Sequence, residues 1–345
     1  MIKKVKIENF KCFTNEELEF KNLTLLTGTN SSGKSSVIQS ILLSGNHQVG
    51  SDIYEYVQLM GDFNDLKNKY INPSKYTISI LHDEKEDKLI SSKDNNIIVD
   101  GTSLSYPEKL TYLNSNRVSV SEINSANNSH QSRYFGIDGR YIANYFELFK
   151  EEPIEDFLIQ DNDIAITLEA QVDYWLEKII GQTVSLQTSK PTSTLVKASY
   201  KIDGLEFKPN NIGAGISYVI SILVACLSAN KESIIIIENP EIHMHPKAQA
   251  KIGEFFAFIT SCGVQIIIET HNDHLINKIR YEVYKKHINS DDVIIHYKTS
   301  TTNFERINIK PNGFFSNKDG ENSFPQGFYD ATLADIFEIN SGELL

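Results

Sequence analysis

The chain is poor in cysteine. It has three in 345 residues (Cys12, Cys226 and Cys262) and no Cys-x-x-Cys pair. That spacing supports neither a disulfide framework nor a zinc cluster, and it points to a reducing compartment. Long apolar runs are absent too. None approaches the ~18 residues that a membrane span requires, so no membrane partner is expected. Residues 1–6 move straight into charged alternation without the apolar stretch of a secretory signal, so the expected setting is cytoplasmic. Positive charge is in deficit, with 33 Lys+Arg against 45 Asp+Glu and a net charge of −12. This excludes a protein that coats nucleic acid over its whole surface, but it leaves room for a local basic groove. No heptad run extends over three repeats, which argues against a long coiled-coil arm, and no internal repeat occurs. What is present is an ordinary globular balance, 40% hydrophobic and 23% charged, with ample core for one large domain or two.

Apolar periodicity outlines the elements. Val5, Ile7 and Phe10 alternate with charged neighbours as in a strand, and Leu18 with Phe20 suggests a second. Residues 23–27 read as a buried strand that stops at Gly28. Val37, Ile38, Ile41 and Leu42 then fall at helical spacing. Residues 77–81 and 96–99 read as strands, 83–88 as a solvated turn, and the Ser/Asn-rich stretch 119–132 as a loop. Spacing turns helical over 154–180. Two β-branched runs, 233–237 and 264–268, fit central strands of a parallel sheet joined by a crossover helix over 247–259. Residues 293–297 read as another strand. The expected fold class is α/β, a mixed sheet with central parallel strands flanked by helices. The expected division is an N-terminal lobe (1–75), an inserted β and helical subdomain (76–200), a C-terminal lobe (201–300) and a tail packed on the head (301–345).

Three motifs carry chemistry. Gly28-Thr29-Asn30-Ser31-Ser32-Gly33-Lys34-Ser35 matches G-x-x-x-x-G-K-[ST] and lies between a strand and a helix, as a phosphate loop must. The glycines let the backbone N–H groups converge on phosphate, Lys34 supplies charge to the β- and γ-phosphates, and the Ser35 hydroxyl ligates Mg²⁺. Second, the strand 234–237 runs into Glu238-Asn239-Pro240-Glu241-Ile242-His243-Met244-His245-Pro246. An acid ending an apolar strand beside a phosphate loop is the Walker-B arrangement and makes Glu238 a magnesium candidate. His243 and His245 are too few for zinc and are better read as part of a Pro-bounded loop. Third, Glu269-Thr270-His271 ends the neighbouring run, where His271 is positioned to meet a γ-phosphate or an attacking water.

On these motifs the chain resembles the ABC-type ATPase heads of the SMC, RecF and OLD group. More narrowly it is similar to the compact bacterial AAA family ATPases, several of which belong to anti-phage defence. The resemblance runs from Ile7-Glu8-Asn9-Phe10-Lys11-Cys12-Phe13 through Gly28 to Ser36 and 211–217 to 238–246 and 269–275. The tail 324–330 also resembles a family tail. The resemblance implies ATP and Mg²⁺, with phosphate contacts from Gly28, Asn30, Ser31, Ser32, Gly33, Lys34, Ser35 and Ser36. It implies Lys11 near the nucleotide. Gly213, Gly215 and Ser217 would form a signature loop reaching ATP on a second subunit. Catalysis would involve Lys34, Glu238, Glu241 and His271, and magnesium would meet Ser35, Glu238 and Gln58 of a glutamine loop. Gln39, on the phosphate-loop helix, reads as structural. One departure matters: many ABC ATPases carry a water-activating glutamate where this chain has Asn239, which cannot act as a base. Either Glu241 takes that role or hydrolysis is slow. The residues after Arg280 are too few for the TOPRIM nuclease domain of OLD proteins together with the tail.

The expected function is a Mg²⁺-dependent ATPase, a homodimer or higher even oligomer closed head-to-tail around ATP, controlling a separately encoded nuclease or toxin. The competing reading is an SMC- or RecF-like DNA-binding ATPase in repair or DNA sensing, with DNA or RNA as the partner. For it, Arg117, Arg133 and Arg140 interleave with Tyr134, Phe135, Tyr141 and Tyr145. Asp161, Asp163 and Glu169 are too scattered for an intrinsic nuclease.

Overall fold

Apolar β-branched strands without a polar face need cover on both sides, and this chain supplies it. The structure is a computed structural model, and it describes residues 1–47, 49–83, 85–94, 97–101, 104–126, 133–299 and 303–322. The strands in chain order are β1 (Ile2–Glu8), β2 (Asn15–Glu19), β3 (Leu23–Gly28), β4 (Asn46–His47), β5 (Lys75–His82), β6 (Lys85–Ser92), β7 (Ile97–Asp100), β8 (Ser105–Tyr106), β9 (Leu110–Leu113), β10 (Ile123–Ser125), β11 (Val184–Thr192), β12 (Leu195–Ile202), β13 (Leu205–Phe207), β14 (Ile234–Glu238), β15 (Gln265–Glu269), β16 (Val293–Lys298), β17 (Glu305–Ile309) and β18 (Phe315–Ser316). The helices are α1 (Lys34–Ser44), α2 (Asp52–Leu59), α3 (Phe63–Leu66), α4 (Ile142–Phe149), α5 (Leu168–Ile180), α6 (Ala214–Leu227), α7 (Pro246–Ser261) and α8 (Asp273–Tyr284).

The central sheet has the order β18-β17-β16-β3-β15-β14-β9. Its strands β16, β3, β15, β14 and β9 are parallel, and β17 and β18 continue it antiparallel. Every residue of β3, β14 and β15 is buried. On one face the core gathers α4 to α8 around Trp175, Phe255 and Phe256, and on the other it joins α1 to the N-terminal sheet. That second sheet is antiparallel, in the order β2-β1-β5-β6-β7. The expected α/β head is therefore what the chain forms.

Residues 76–200 supply strands to all four sheets. β5 to β7 extend the N-terminal sheet, β8 pairs with β4, β9 flanks β14, and β10 to β12 join β13 in a separate sheet. The expected turn over 83–88 is corrected: β6 begins at Lys85, and Asp87 points inward to the His82 ring at 2.8 Å. Its charged run alternates, with Glu86 and Lys88 exposed and Asp87 paired in the interior. Within the expected loop 119–132, Ile123–Ser125 pairs with β12, and 127–132 lie outside the described residues. The helical stretch expected over 154–180 is continuous only over α5, capped by the Thr167 side chain and closed by Gly181 at φ 79°. The tail residues 324–330 lie outside the described residues.

Candidate functional site

The loop between β3 and α1 is forced into shape by its neighbours. Gly28 has φ 133°, and a Cβ there would lie 1.9 Å from the carbonyl oxygen of Lys298 on β16. Gly33 has φ 106°, and its Cβ would meet the Cys12 sulfur at 2.6 Å. Neither position admits a side chain. Helix α1 starts at Lys34 with no side-chain cap and no acid in its first turn, so its leading N–H groups are free for an anion. Lys34 is only 3% exposed. Its ammonium donates to the carbonyl oxygens of Gly28 (3.2 Å) and Thr29 (2.7 Å). Burial lowers its pKa, and Glu269 opposes that. The Ser32 hydroxyl is buried with no partner. Asn30 and Ser31 are exposed on the crest, and Ser36 is half-buried on α1. A buried cation held only by carbonyls, an orphaned hydroxyl and an uncapped helix end together fit a polyphosphate.

Opposite this loop, the ends of β14 and β15 lie in register, Glu238 beside Glu269. Glu238 accepts from the Tyr112 hydroxyl at 2.9 Å and the Ser115 N–H at 3.2 Å. Glu269 accepts from the Ser35 hydroxyl at 2.9 Å, and its second oxygen is buried and unpartnered. Burial and the neighbouring Glu238 raise the pKa of Glu269 to about 7. Glu241, also raised by burial, accepts from the His271 N–H at 3.2 Å, and its other oxygen is unpartnered. The His271 ring faces the Gly28 carbonyl; partial burial and Lys34 lower its pKa. Asn239 sits at φ 43°, its N–H bonded to the Glu269 carbonyl at 2.7 Å.

Arg117 fastens this turn. It is buried, and its guanidinium donates to the carbonyl oxygens of Glu238 and Asn239, both at 2.6 Å. Its charge lies over the Tyr218 ring at 5.6 Å, and Tyr218 in turn lies against His243. His245 caps α7 through its ring nitrogen.

The sequence-derived candidates therefore divide. Gly28, Ser32, Gly33, Lys34, Ser35, Glu238, Glu241 and His271 converge. The Lys11 ammonium lies 2.5 Å from the Gln39 amide oxygen on α1, and the adjoining Cys12 sulfur packs on Gly33. From Gln39 a polar chain runs through the Tyr56 and Tyr112 hydroxyls to Glu238. Gln58 is exposed on α2 and is not part of that chain. Gly213 is exposed at the start of α6. Gly215 must be glycine, because its Cβ would lie 2.4 Å from the His243 carbonyl oxygen. Ser217 is buried, and its hydroxyl lies 2.6 Å from that of Tyr200.

Three residues of this site were given no role in it from the sequence. Glu269 had a signal, since it ends an Ile-Ile-Ile-Glu run as Glu238 does. Tyr112 and Arg117 had none, because only the pairing of β9 with β14 brings them in. The proposed nucleic-acid stretch is also corrected. Arg117, Tyr134, Phe135 and Tyr145 are buried, Arg133 bonds Ser233 and the Ala225 carbonyl, and Arg140 pairs with Asp138.

Comparison with known proteins agrees with this fold. A family model, AAA_21, described as "AAA domain, putative AbiEii toxin, Type IV TA system", matches residues 23–277. An SMC head bound to the C-terminal winged-helix domain of ScpA is similar at TM-score 0.54 and 12% identity, covering 90% of this chain and 98% of that one. An SMC head with an extended coiled coil, bound to the C-terminal domain of ScpA derived from Pyrococcus furiosus, matches at TM-score 0.54 and 12% identity, covering 89% and 96%. No curated protein sequence matches this chain.

Proposed function

The chain belongs to the AAA_21 family, and from that premise we propose that it is a Mg²⁺-dependent ATPase that pairs with a second copy around ATP and controls a separately encoded effector. The observation that carries the nucleotide reading is the Ser35–Glu269 hydrogen bond, which ties the phosphate loop to the acid-tipped strands. Lys34 and the free N–H groups of α1 bind the β- and γ-phosphates. Ser35 and the carboxylates at the strand ends would hold Mg²⁺, which supplies charge neutralisation at the phosphates. Glu241, with one oxygen fixed by the His271 N–H and one open, accepts the proton of the attacking water, the task Asn239 cannot perform. His271 orients the terminal phosphate beside Gly28.

Gly213 and the open end of α6 reach toward ATP on the partner copy. This loop is braced on the His243 turn, so closure of the pair and the position of Glu241 are mechanically joined. The type IV toxin–antitoxin wording of the family supports an effector in bacterial defence, a nuclease or toxin. The SMC heads, solved with ScpA domains bound, support a head that docks other proteins. The deciding measurement is native mass spectrometry of this chain expressed with its neighbouring genes, with and without ATP·Mg²⁺. An even number of copies with a second protein is expected; a chain that stays monomeric and alone in saturating ATP overturns the reading.

One feature favours a second reading, a head that holds single-stranded nucleic acid. Tyr281, Tyr284 and Phe314 are exposed beside Lys285 and Lys286, and the Lys285 ammonium lies 5.5 Å from the Tyr281 ring centre. Exposed rings among cations suit stacked bases and phosphates. Salt-dependent binding of a labelled single strand, lost on Tyr281→Ala/Tyr284→Ala, supports this reading; no binding at low salt removes it.

A further inference from the structure

We propose that the carboxylate that completes the magnesium site is Glu269 of β15, not the Walker-B Glu238 of β14, which instead anchors the edge strand β9. This rests on the nucleotide reading above and divides labour within it. Glu238 has a donor on each oxygen, the Tyr112 hydroxyl on one and the Ser115 N–H on the other. Both donors come from β9 and its exit, so the carboxylate is turned toward the sheet edge. The buried Arg117 holds the backbone of the same turn through the carbonyls of Glu238 and Asn239.

Glu269 has the opposite arrangement. It ends the strand lying directly between β14 and the phosphate-loop strand β3. One oxygen accepts a hydrogen bond from the Ser35 hydroxyl, which leaves the lone pairs of Ser35 free for a cation. The other oxygen is buried in a side chain only 6% exposed and has no partner. A buried carboxylate oxygen without a donor is costly unless something fills the space beside it. Magnesium takes one or two carboxylates with a hydroxyl and phosphate oxygens, and Glu269 with Ser35 offers that set on the phosphate side of the sheet. The turn after β14 also fixes Glu269 through Asn239. Its backbone N–H, which any residue but proline would offer, holds the Glu269 carbonyl and ties the end of β15 to that of β14.

The test is the ratio of ATP affinities with Mg²⁺ and with EDTA, read by fluorescence polarisation of labelled ATP. Mn²⁺ occupancy by electron paramagnetic resonance is the second readout. Glu269→Gln is expected to keep the EDTA affinity and to lose roughly 10- to 100-fold of the Mg²⁺ gain, the usual effect of removing a group that holds or orients a metal. Glu238→Gln is expected to keep most of the gain. If Glu269→Gln does not fold, Glu269→Asp replaces it, with its oxygens drawn back from Ser35 and a partial loss expected; a wild-type ratio overturns the proposal. Loss of the gain in both Gln variants, in neither, or in Glu238→Gln alone also overturns it. Failure of the nucleotide reading looks different: wild type would then bind no ATP in either buffer.

Discussion

The tips of β14 and β15 are written almost identically, Ile-Ile-Ile-Ile-Glu and Gln-Ile-Ile-Ile-Glu, and they end side by side. Their chemistry differs because their neighbours differ. Glu238 has β9 on its other flank, which brings Tyr112 and the Ser115 N–H to its oxygens. Glu269 has β3 on its other flank, which brings the phosphate loop and one serine. The first acid is satisfied within the fold, and the second is left partly open. A strand-end acid is thus a candidate by pattern and a ligand only by what stands next to it.

The largest effect tests the premise that the β3 side is the nucleotide side. Lys34→Ala is expected to weaken ATP binding by about 10- to 100-fold, from the ~1.5–3 kcal/mol of a hydrogen bond to a charged group. Equal affinity by polarisation would break the comparison at its root.

Next is a control on the far side of β3. His296 is buried, its ring Nε2–H donates to the Glu19 carbonyl oxygen at 2.7 Å, and burial lowers its pKa to about 4. Its unfolded pKa is about 6.5, so the unfolded chain binds the extra proton first and stability falls as pH drops from about 6.5 to about 4. The loss is up to about 3 kcal/mol, at 1.36 kcal/mol per unit, and denaturant melts of wild type against His296→Phe measure it. Comparisons of the two tips therefore belong above this window.

Within that range the unliganded variants should diverge. Glu238→Leu leaves the Tyr112 hydroxyl and Ser115 N–H without their acceptor and is expected to cost about 1–3 kcal/mol. Glu269→Gln removes one of two adjacent buried carboxylates and is expected to cost less than about 0.5 kcal/mol or to stabilise. Urea melts that rank the two the other way would reverse the assignment of satisfied and open acid. Tyr112→Phe isolates one of those donors and is expected to cost about 1 kcal/mol for one hydroxyl hydrogen bond. A drop in the Mg²⁺ gain without that stability cost would mean that Glu238 faces the metal after all.

Local pattern carried much of this molecule. The phosphate loop was legible because glycine spacing and a following helix are demanded by the chemistry, and Gly28 and Gly33 occupy backbone space no other residue can. The central strands were legible because runs of isoleucine suit a sheet covered on both faces. The charged run after His82 misled, because composition suggested solvent where Asp87 is an interior partner. The arginine-rich stretch misled for the same reason, since Arg117 and Arg133 spend their charge on carbonyls and a hydroxyl inside the fold.

By itself, the sequence determined that an α/β head would form and that its phosphate loop would precede a helix. Those depend on residues close together in the chain, through backbone freedom and hydrophobic period. Which acid stands open, which arginine braces the turn and which serine is buried were decided only by tertiary structure. The groups concerned come from strands and loops far apart in sequence, and lateral strand order, which no local period encodes, sets the donors and charges each of them meets.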